Sequence, residues 1–267
     1  MWQIFLSSWR AGFRGRGFLA AIGLGVAVVA IAYLSSSFSP RQPRTVALDV
    51  GLSGLRFCLV LYAILIVQEL VGREIDRRTV VLTLSYPIDR SSYLLGRYFG
   101  VAVLSAAVTA VLALMLWLAV LLAGLDYDQP RAVSLGASYW IAIAGIWVDV
   151  MVVAAFALWI ASLSTVHMLP LTLGMLFAIA GRAFGAVADY LSHGADGQEE
   201  LVRRFNPILE IIGWIMPDLS RLDFRFWALY GTVPELDRVG LAVLAATAYI
   251  VLLLGLAVHG FSRREFS

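Results

Sequence analysis

The sequence contains no lysine, and all 20 of its basic residues are arginines. A P-loop needs a lysine on the nucleotide phosphates within the pattern GxxxxGK[ST]. The absence of lysine therefore excludes ATP hydrolysis by a P-loop in this chain. We expect the chain not to be an enzyme and to hold no cofactor of its own.

Cysteine and histidine are also scarce. Cys58 is the single cysteine, so an intrachain disulfide is excluded. The three histidines, at positions 167, 193 and 259, lie in different segments and show no metal-ligand spacing. We find no HExxH or GxSxG pattern. The sequence therefore predicts neither a metal site nor a catalytic residue.

Charge is the third shortage. Only 14% of the residues are charged, whereas 61% are hydrophobic, and the mean hydropathy is +0.85. This composition is typical of an integral membrane protein. The net charge is +2 without a basic tail, so we expect no nucleic-acid partner. The fold class that we expect is an all-α membrane protein, with residues 1–267 forming a single transmembrane domain.

Six apolar runs are long enough to be membrane spans. They cover residues 18–37, 52–71, 94–125, 138–162, 168–191 and 239–261. The second is the weakest, because Arg56 and Glu69 restrict its uncharged part to residues 57–68. That part alone would favour a re-entrant segment. We expect a span in which both charges lie near the ends and extend towards water.

The first 17 residues predict an amphipathic helix on the membrane surface. Its apolar stripe consists of Trp2, Phe5, Leu6, Trp9 and Phe13. An ordinary basic flank of the first span is the alternative. A cleaved signal peptide is rejected, because the apolar run that follows is long for a signal.

Six spans place both termini on one side of the membrane. That side collects the arginines at positions 10, 14, 16, 73, 77, 78, 90, 263 and 264. The short loops opposite carry only Arg41, Arg44 and Arg131. The positive-inside rule therefore predicts that both termini are cytoplasmic.

The loop between the second and third spans, residues 72–93, holds the densest cluster of charge. Within it, Ile75, Thr79, Leu82 and Tyr86 share one face of a predicted helix. Pro87 ends this helix because proline lacks an N–H and disfavours a helical residue before it. Asp89 or Ser91 then caps the third span.

This loop resembles the first cytoplasmic loop of ABC type-2 permeases, in particular the six-span branch that includes the permease for nitrous-oxide-reductase maturation. The pattern consists of Glu74, Thr79, Leu82 to Leu84, Pro87-x-x-Arg90 and Leu94-Leu95-Gly96-Arg97. Arg78 stands where the family usually has glycine, and Arg97 where it often has lysine. The ending 261–266 is similar to family endings.

The resemblance implies a coupling helix that docks on a separate ATPase subunit, which would bind the ATP and magnesium. The coupling residues that it implies are Glu74, Arg77, Arg78, Thr79, Leu82, Pro87 and Arg90. It further implies an exporter subunit in the bacterial inner membrane. The partners would be a second permease copy or a related permease, membrane lipid and a periplasmic accessory protein.

The long connection at residues 192–238 is expected to be extracytoplasmic. Its apolar part, residues 208–216, is too short to span and lies between Pro207 and Pro217. An aromatic belt follows it, made of Phe224, Phe226, Trp227 and Tyr230. The family has a small cap or re-entrant hairpin over the pathway here, and a passive loop on the bilayer surface is the alternative. Asp218 and Asp223 are interpreted as part of a solvated loop rather than as a catalytic pair.

Asp149 and Arg182 each interrupt an otherwise uncharged span. Each alone costs on the order of 2.5–3.5 kcal/mol at the bilayer centre. Measured from the turn near Thr165, they lie about 24 Å and about 26 Å deep at 1.5 Å per residue. We therefore predict an ion pair, which is either a structural clamp or a place where Arg182 lines the pathway and meets an anionic substrate.

Two other classes of protein fit the same features. An ion-coupled secondary transporter would use the intramembrane charges and an ion gradient. A non-transporting membrane anchor or regulatory subunit would need neither ATP turnover nor substrate movement.

The predicted topology can be tested with an impermeant thiol reagent added outside intact cells. In a Cys58→Ser background, a cysteine at Ser91 should be shielded and a cysteine at Gly197 should react. The opposite pattern would invert the topology, and reaction at both sites would show that the second span does not cross.

Overall fold

The protein is built from long apolar helices. The computed structural model describes residues 8–9, 12–13, 15–39, 41–72, 74, 89–123, 133–164, 166, 168–192, 205, 207, 211–213 and 216–263. The helices are α1 (Arg16–Ser37), α2 (Pro43–Val67), α3 (Arg90–Leu122), α4 (Ala137–Leu163), α5 (Leu169–Ser192), the short α6 (Arg225–Tyr230) and α7 (Leu236–Ser262). A π-helix, Gln68–Gly72, continues α2, and a 3₁₀ turn, Leu219–Leu222, precedes α6. All regular structure in these residues is helical, which confirms the predicted all-α fold.

Six of these helices are long and apolar enough to cross a membrane. The shortest of the six apolar segments, Gly17–Ser37, has 21 residues, and about 20 residues span the hydrocarbon core. The protein is therefore a multi-pass membrane protein, as the composition indicates.

The second helix differs from its predicted span. It begins at Pro43 rather than at residue 52, with the proline in the first turn, where its missing N–H costs nothing. Arg56 consequently lies about 20 Å along the axis from Pro43. The expectation that Arg56 extends to water near a helix end is wrong, since only 3% of the residue is exposed.

The long helices alternate in direction. At one end of the bundle, Arg44 Nε at the start of α2 donates to the carbonyl oxygen of Ala123 at the end of α3 (3.0 Å). At the other, Arg90 Nη1 at the start of α3 donates to the carbonyl oxygen of Ser262 at the end of α7 (2.8 Å). We call the face where α2, α4 and α7 begin the connector face, and the face where α3 and α5 begin the coupling face.

The helices α2 and α4 form the centre of the bundle and most of their residues are buried, whereas fewer than a third are buried in the apolar segments of α1, α5 and α7. Aromatic packing joins the centre to the periphery. The rings of Phe156 on α4 and Phe177 on α5 stack with centroids 4.1 Å apart, and Tyr249 on α7 lies 6.3 Å from Phe177. The outer helices are therefore attached to a central pair.

Residues 216–235, which we call the connector segment, are set into the connector face. Leu219, Leu222 and Phe224 are buried. They pack against glycines, which have no side chain and leave room for them: Gly145 of α4 faces the Leu222 carbonyl oxygen, and Gly181 of α5 faces Leu219.

These contacts lie well inside the ends of the helices. At 1.5 Å per residue, Gly145 is about 12 Å from the start of α4. Membranes tolerate non-helical backbone at such depth where protein buries it. The segment is thus recessed, unlike a passive loop on the bilayer surface. Of the predicted apolar hairpin, the structure describes only Pro207, residues 211–213 and Met216.

Two further sequence predictions fall largely outside the described residues. The coupling helix is one, since Glu74 is the only described residue between 73 and 88. The amphipathic helix at residues 1–17 is the other. Of its residues, Ser8 is fully buried and Trp9 packs against the core.

Replacing Gly145 with alanine should loosen the connector segment. The added Cβ would lie 2.6 Å from the Leu222 carbonyl oxygen and 2.7 Å from the Phe224 ring, and a backbone oxygen cannot simply rotate away. We expect the free energy of unfolding to fall by about 1–3 kcal/mol. Thermal unfolding in lipid nanodiscs measures this.

Gly255→Ala is the matched control, because the same Cβ on α7 would meet nothing within 4 Å. Alanine within a helix is favoured over glycine by about 0.5–1 kcal/mol, so this variant should be neutral or more stable. Equal stability of the two variants would contradict the packing of the connector segment on α4.

Candidate functional site: a chain of charges within the bundle

Six charged side chains form a continuous row in which arginine and aspartate alternate. It joins α5, α4, α2 and the connector segment, and we call it the charge chain. In order along the row, its members are Arg182, Asp149, Arg56, Asp223, Arg225 and Asp49.

The deep end of the charge chain lies near the middle of the helices. Arg182 Nη2 donates to Asp149 Oδ2 at 2.6 Å, so the two residues that were expected to meet are in contact. Arg56 Nε lies 3.5 Å from the same oxygen. Asp149 is about 18 Å from the start of α4, and Arg182 is about 20 Å from the start of α5. One carboxylate therefore bridges two guanidinium groups from different helices.

The outer half of the charge chain fastens the connector segment. Arg56 Nη1 donates to Asp223 Oδ2 at 2.8 Å, and Arg225 Nε donates to both oxygens of Asp223 at 2.9 Å. Arg225 Nη1 then reaches Ser53 Oγ at 2.6 Å and Asp49 Oδ1 at 3.3 Å on α2.

Asp223 stays ionised in this setting. Burial alone raises the pKa of its carboxyl group, but the hydrogen bonds and charges of Arg56 and Arg225 outweigh burial and lower the pKa to about 2. The stability that this carboxylate contributes is therefore complete above an ordinary aspartate pKa of about 3.9. It is lost only as the pH falls from there through the folded value.

Exposure differs sharply along the charge chain. The side chains of Asp149 and Arg56 are 1% and 4% exposed, whereas Arg182 at the deep end is 34% exposed and Asp49 at the rim is 55% exposed. The row thus has a buried centre and two open ends.

The buried centre is not fully satisfied. Asp149 Oδ1 and Arg56 Nη2 find no hydrogen-bond partner among the residues that the structure describes. Buried polar groups in proteins nearly always have a protein or water partner. Arg56 Nε also lacks a hydrogen bond to a described residue, so two unused donors and one unused acceptor lie in the same cluster, and bound water would satisfy them.

Sequence analysis missed four members of this site, namely Arg56, Asp223, Arg225 and Asp49. Arg56 was assigned to the end of a span and Asp223 to a solvated loop, yet they form an ion pair with each other. Pro43 was the available signal for Arg56, because proline favours the first turn of a helix and extends α2 towards the terminus. For Asp223 the sequence carries no comparable signal, because its partner is 167 positions away.

A second polar cluster lies at the coupling face. Glu74 accepts hydrogen bonds from Tyr93 and from Arg97, both on α3. Arg97 is 5% exposed, also donates to Ser8 Oγ at 2.9 Å, and lies over the Tyr93 ring. The start of the predicted coupling loop is therefore fixed to α3.

The other predicted coupling residues divide into two groups. Arg90 is described, and it contacts the carbonyl oxygens at the C-terminal end of α7. The remaining ones lie outside the described residues, namely Arg77, Arg78, Thr79, Leu82 and Pro87. Asp89 occupies the N-cap position of α3 without a side-chain capping hydrogen bond.

In the described part of the chain, no group of three or more His, Cys, Asp or Glu residues is arranged to hold a metal ion. No protein-family model matches the sequence, and a search of curated proteins finds no significant match. The inferences below therefore rest on the geometry and the sequence patterns of this chain.

Asp149→Asn should destabilise the protein by about 3–5 kcal/mol, because it leaves Arg56 and Arg182 without the charge that they share. Exchanging the charges at positions 149 and 182 should not restore stability, since an arginine at 149 would lie against Arg56. Unfolding in nanodiscs measures both effects.

Arg238→Gln is the control for loss of an arginine, because its pair with Glu235 is exposed and should contribute less than about 1 kcal/mol.

A double-mutant cycle of Asp149→Asn with Arg182→Gln should show a coupling free energy of about 0.5–3 kcal/mol. Strict additivity would mean that the 2.6 Å contact has no energetic role.

Proposed function

We propose that this chain is the transmembrane subunit of an ATP-binding-cassette exporter that works with a separate ATPase. The observation that carries the proposal is the attachment of Glu74, at the start of the permease-like loop, to Tyr93 and Arg97 on α3. Six helices of spanning length and the resemblance of residues 74–97 support it.

The contacts of Glu74 with α3 connect the loop at residues 72–93 mechanically to the membrane helices. The loop at residues 72–93 follows the π-helical end of α2 and leads into α3. Its Glu74 is held by α3, while Arg90 holds the end of α7. A partner that pushes on this loop would therefore displace α3 directly and α7 through Arg90. ATP-driven closure of two ATPase subunits is the motion that we assign to that push.

The assembly that we propose contains two permease chains, either two copies or one copy and a related chain, and two ATPase subunits that bind ATP and magnesium. It would lie in a bacterial cytoplasmic membrane with both termini of the permease in the cytoplasm. The arginine asymmetry of the sequence supports this orientation. A periplasmic accessory protein would meet the connector face.

An ion-coupled secondary transporter is the second candidate, and the charge chain is the observation that favours it. Ionisable residues within membrane spans are typical of ion and proton pathways. The two candidates differ in their energy source. Transport that continues without ATP and stops when the proton gradient is collapsed would favour the secondary transporter.

When the chain is purified free of other proteins, it should show no ATPase activity. When it is purified gently, a separate nucleotide-binding subunit should co-purify with it. The double variant Arg77→Ala/Leu82→Asp should weaken that association, because it removes a charge and places another on the apolar face of the predicted coupling helix. The mass of the gently purified complex measures the association.

Arg221→Ala/Leu241→Asp provides the matched control, since Arg221 lies in the connector segment and Leu241 is 65% exposed near the connector-face end of α7. This control should keep the ATPase subunit. Undiminished assembly of the coupling-loop variant would remove residues 72–93 from the interface.

A further inference from the structure

The side chain of Arg182 is 34% exposed, at a depth in the membrane where a charge that faces lipid is unfavourable. It lies about 15 Å from the nearer end of α5, which is too far for its guanidinium group to reach the membrane surface. A charge facing hydrocarbon at such depth costs on the order of 2.5–3.5 kcal/mol. The exposed part therefore faces something polar within the membrane.

The surface of α5 around Arg182 is open on one side only: Ile179 and Ala186 are exposed, whereas Ala178 is buried and Gly185 faces Asp218 and Ser220 of the connector segment. On α5 the nearest positions above and below Arg182 hold Ala178, Ile179, Gly185 and Ala186. Three of these four residues have small side chains or none, so the guanidinium group stands clear of its own helix. Only Nη2 is engaged, by Asp149, and the other nitrogens make no hydrogen bond to a described residue.

The row ends in a positive charge at Arg182. Its three arginines and three aspartates alternate, so one end is Asp49, which is more than half exposed, and the other end is Arg182. Among the described residues Asp149 is the one ionic partner of Arg182, and Asp149 also lies against Arg56. The charge of Arg182 is therefore only partly balanced where its side chain is exposed.

We infer that Arg182 binds the anionic group, a carboxylate or a phosphate, of the molecule that this protein carries across the membrane, and that Asp149 positions its guanidinium group. Arginine suits this role because its planar fork can bind either anion through two parallel hydrogen bonds. The inference rests on the proposed transport function and adds the charge class of the substrate.

The test uses decyl phosphate as an amphiphilic anion that can reach this depth. The protein in phosphatidylcholine nanodiscs is titrated with it, and the rise in the thermal midpoint gives a dissociation constant. Arg182→Gln should weaken binding by about tenfold to a hundredfold, the usual worth of a hydrogen bond to a charged group. Decyltrimethylammonium and decyl maltoside should give no such rise.

Two variants keep the result interpretable. Arg238→Gln, the same change at an exposed surface pair, should bind decyl phosphate as the unchanged protein does. If Arg182→Gln does not fold, Asp149→Asn/Arg182→Gln replaces it, because Arg56 then keeps Asp223 as its partner. Binding by that double variant with unchanged affinity would overturn the site.

Further outcomes would also overturn it. Phosphatidylglycerol in the nanodisc reproducing the rise would assign Arg182 to a lipid headgroup. Unchanged binding together with loss of the dimer mass in Arg182→Gln would assign the exposed face to a second copy of this chain. The titration contains no ATPase, so its result does not depend on the proposed ATP-driven function. If that function is disproved, the anion site can still be correct, and a negative titration contradicts the anion site without contradicting the ATP-driven function.

Discussion

A charged group inside a membrane has no water to solvate it, so Asp149 needs charged partners within the protein. The arrangement of the central helices depends on this need. This carboxylate is 1% exposed at the middle of the most buried part of the bundle, where an isolated ion would be very costly. Part of that cost is offset because α2 and α5 each bring an arginine to the same oxygen. The relative placement of α2, α4 and α5 is thus fixed by a requirement for charge balance as well as by apolar packing, which alone discriminates poorly between helices in lipid.

The same requirement extends to the connector segment. Arg56 needs more than a shared oxygen of Asp149, and Asp223 supplies it from outside the long helices. To reach Arg56, the segment has to descend below the helix ends, and glycines at positions 145, 181 and 185 provide the space. The apolar contacts of the connector segment and the Arg56–Asp223 ion pair therefore depend on each other. The apolar contacts place Asp223 deep enough to reach Arg56, and the ion pair offsets the cost of burying both charges.

The sequence predicts the helices well and their polar contacts unevenly. Five spans agree with the structure to within a few residues, because long apolar runs leave little choice in a bilayer. Asp149 and Arg182 could be matched because they lie at equal depth on consecutive antiparallel helices. Arg56 could not be matched, since placing it requires knowing that α2 extends to Pro43, and Asp223 could not because its partner is distant in sequence. Spacing along one helix is visible in a sequence, whereas the depth of a folded-in connection is set by packing.

The π-helix Gln68–Gly72 continues α2 and lies between Arg56 and Glu74 in the chain. A π turn makes its hydrogen bonds one residue further along than an α turn does. If this turn relaxed to α geometry, the residues after it would step by about one position, or about 1.5 Å along the axis and about 100° around it. Glu74 would take that step while Arg56 kept its place among the aspartates. Such a step would exchange the contacts of Glu74 with Tyr93 and Arg97, while the ion pairs of Arg56 with Asp149 and Asp223 would be kept.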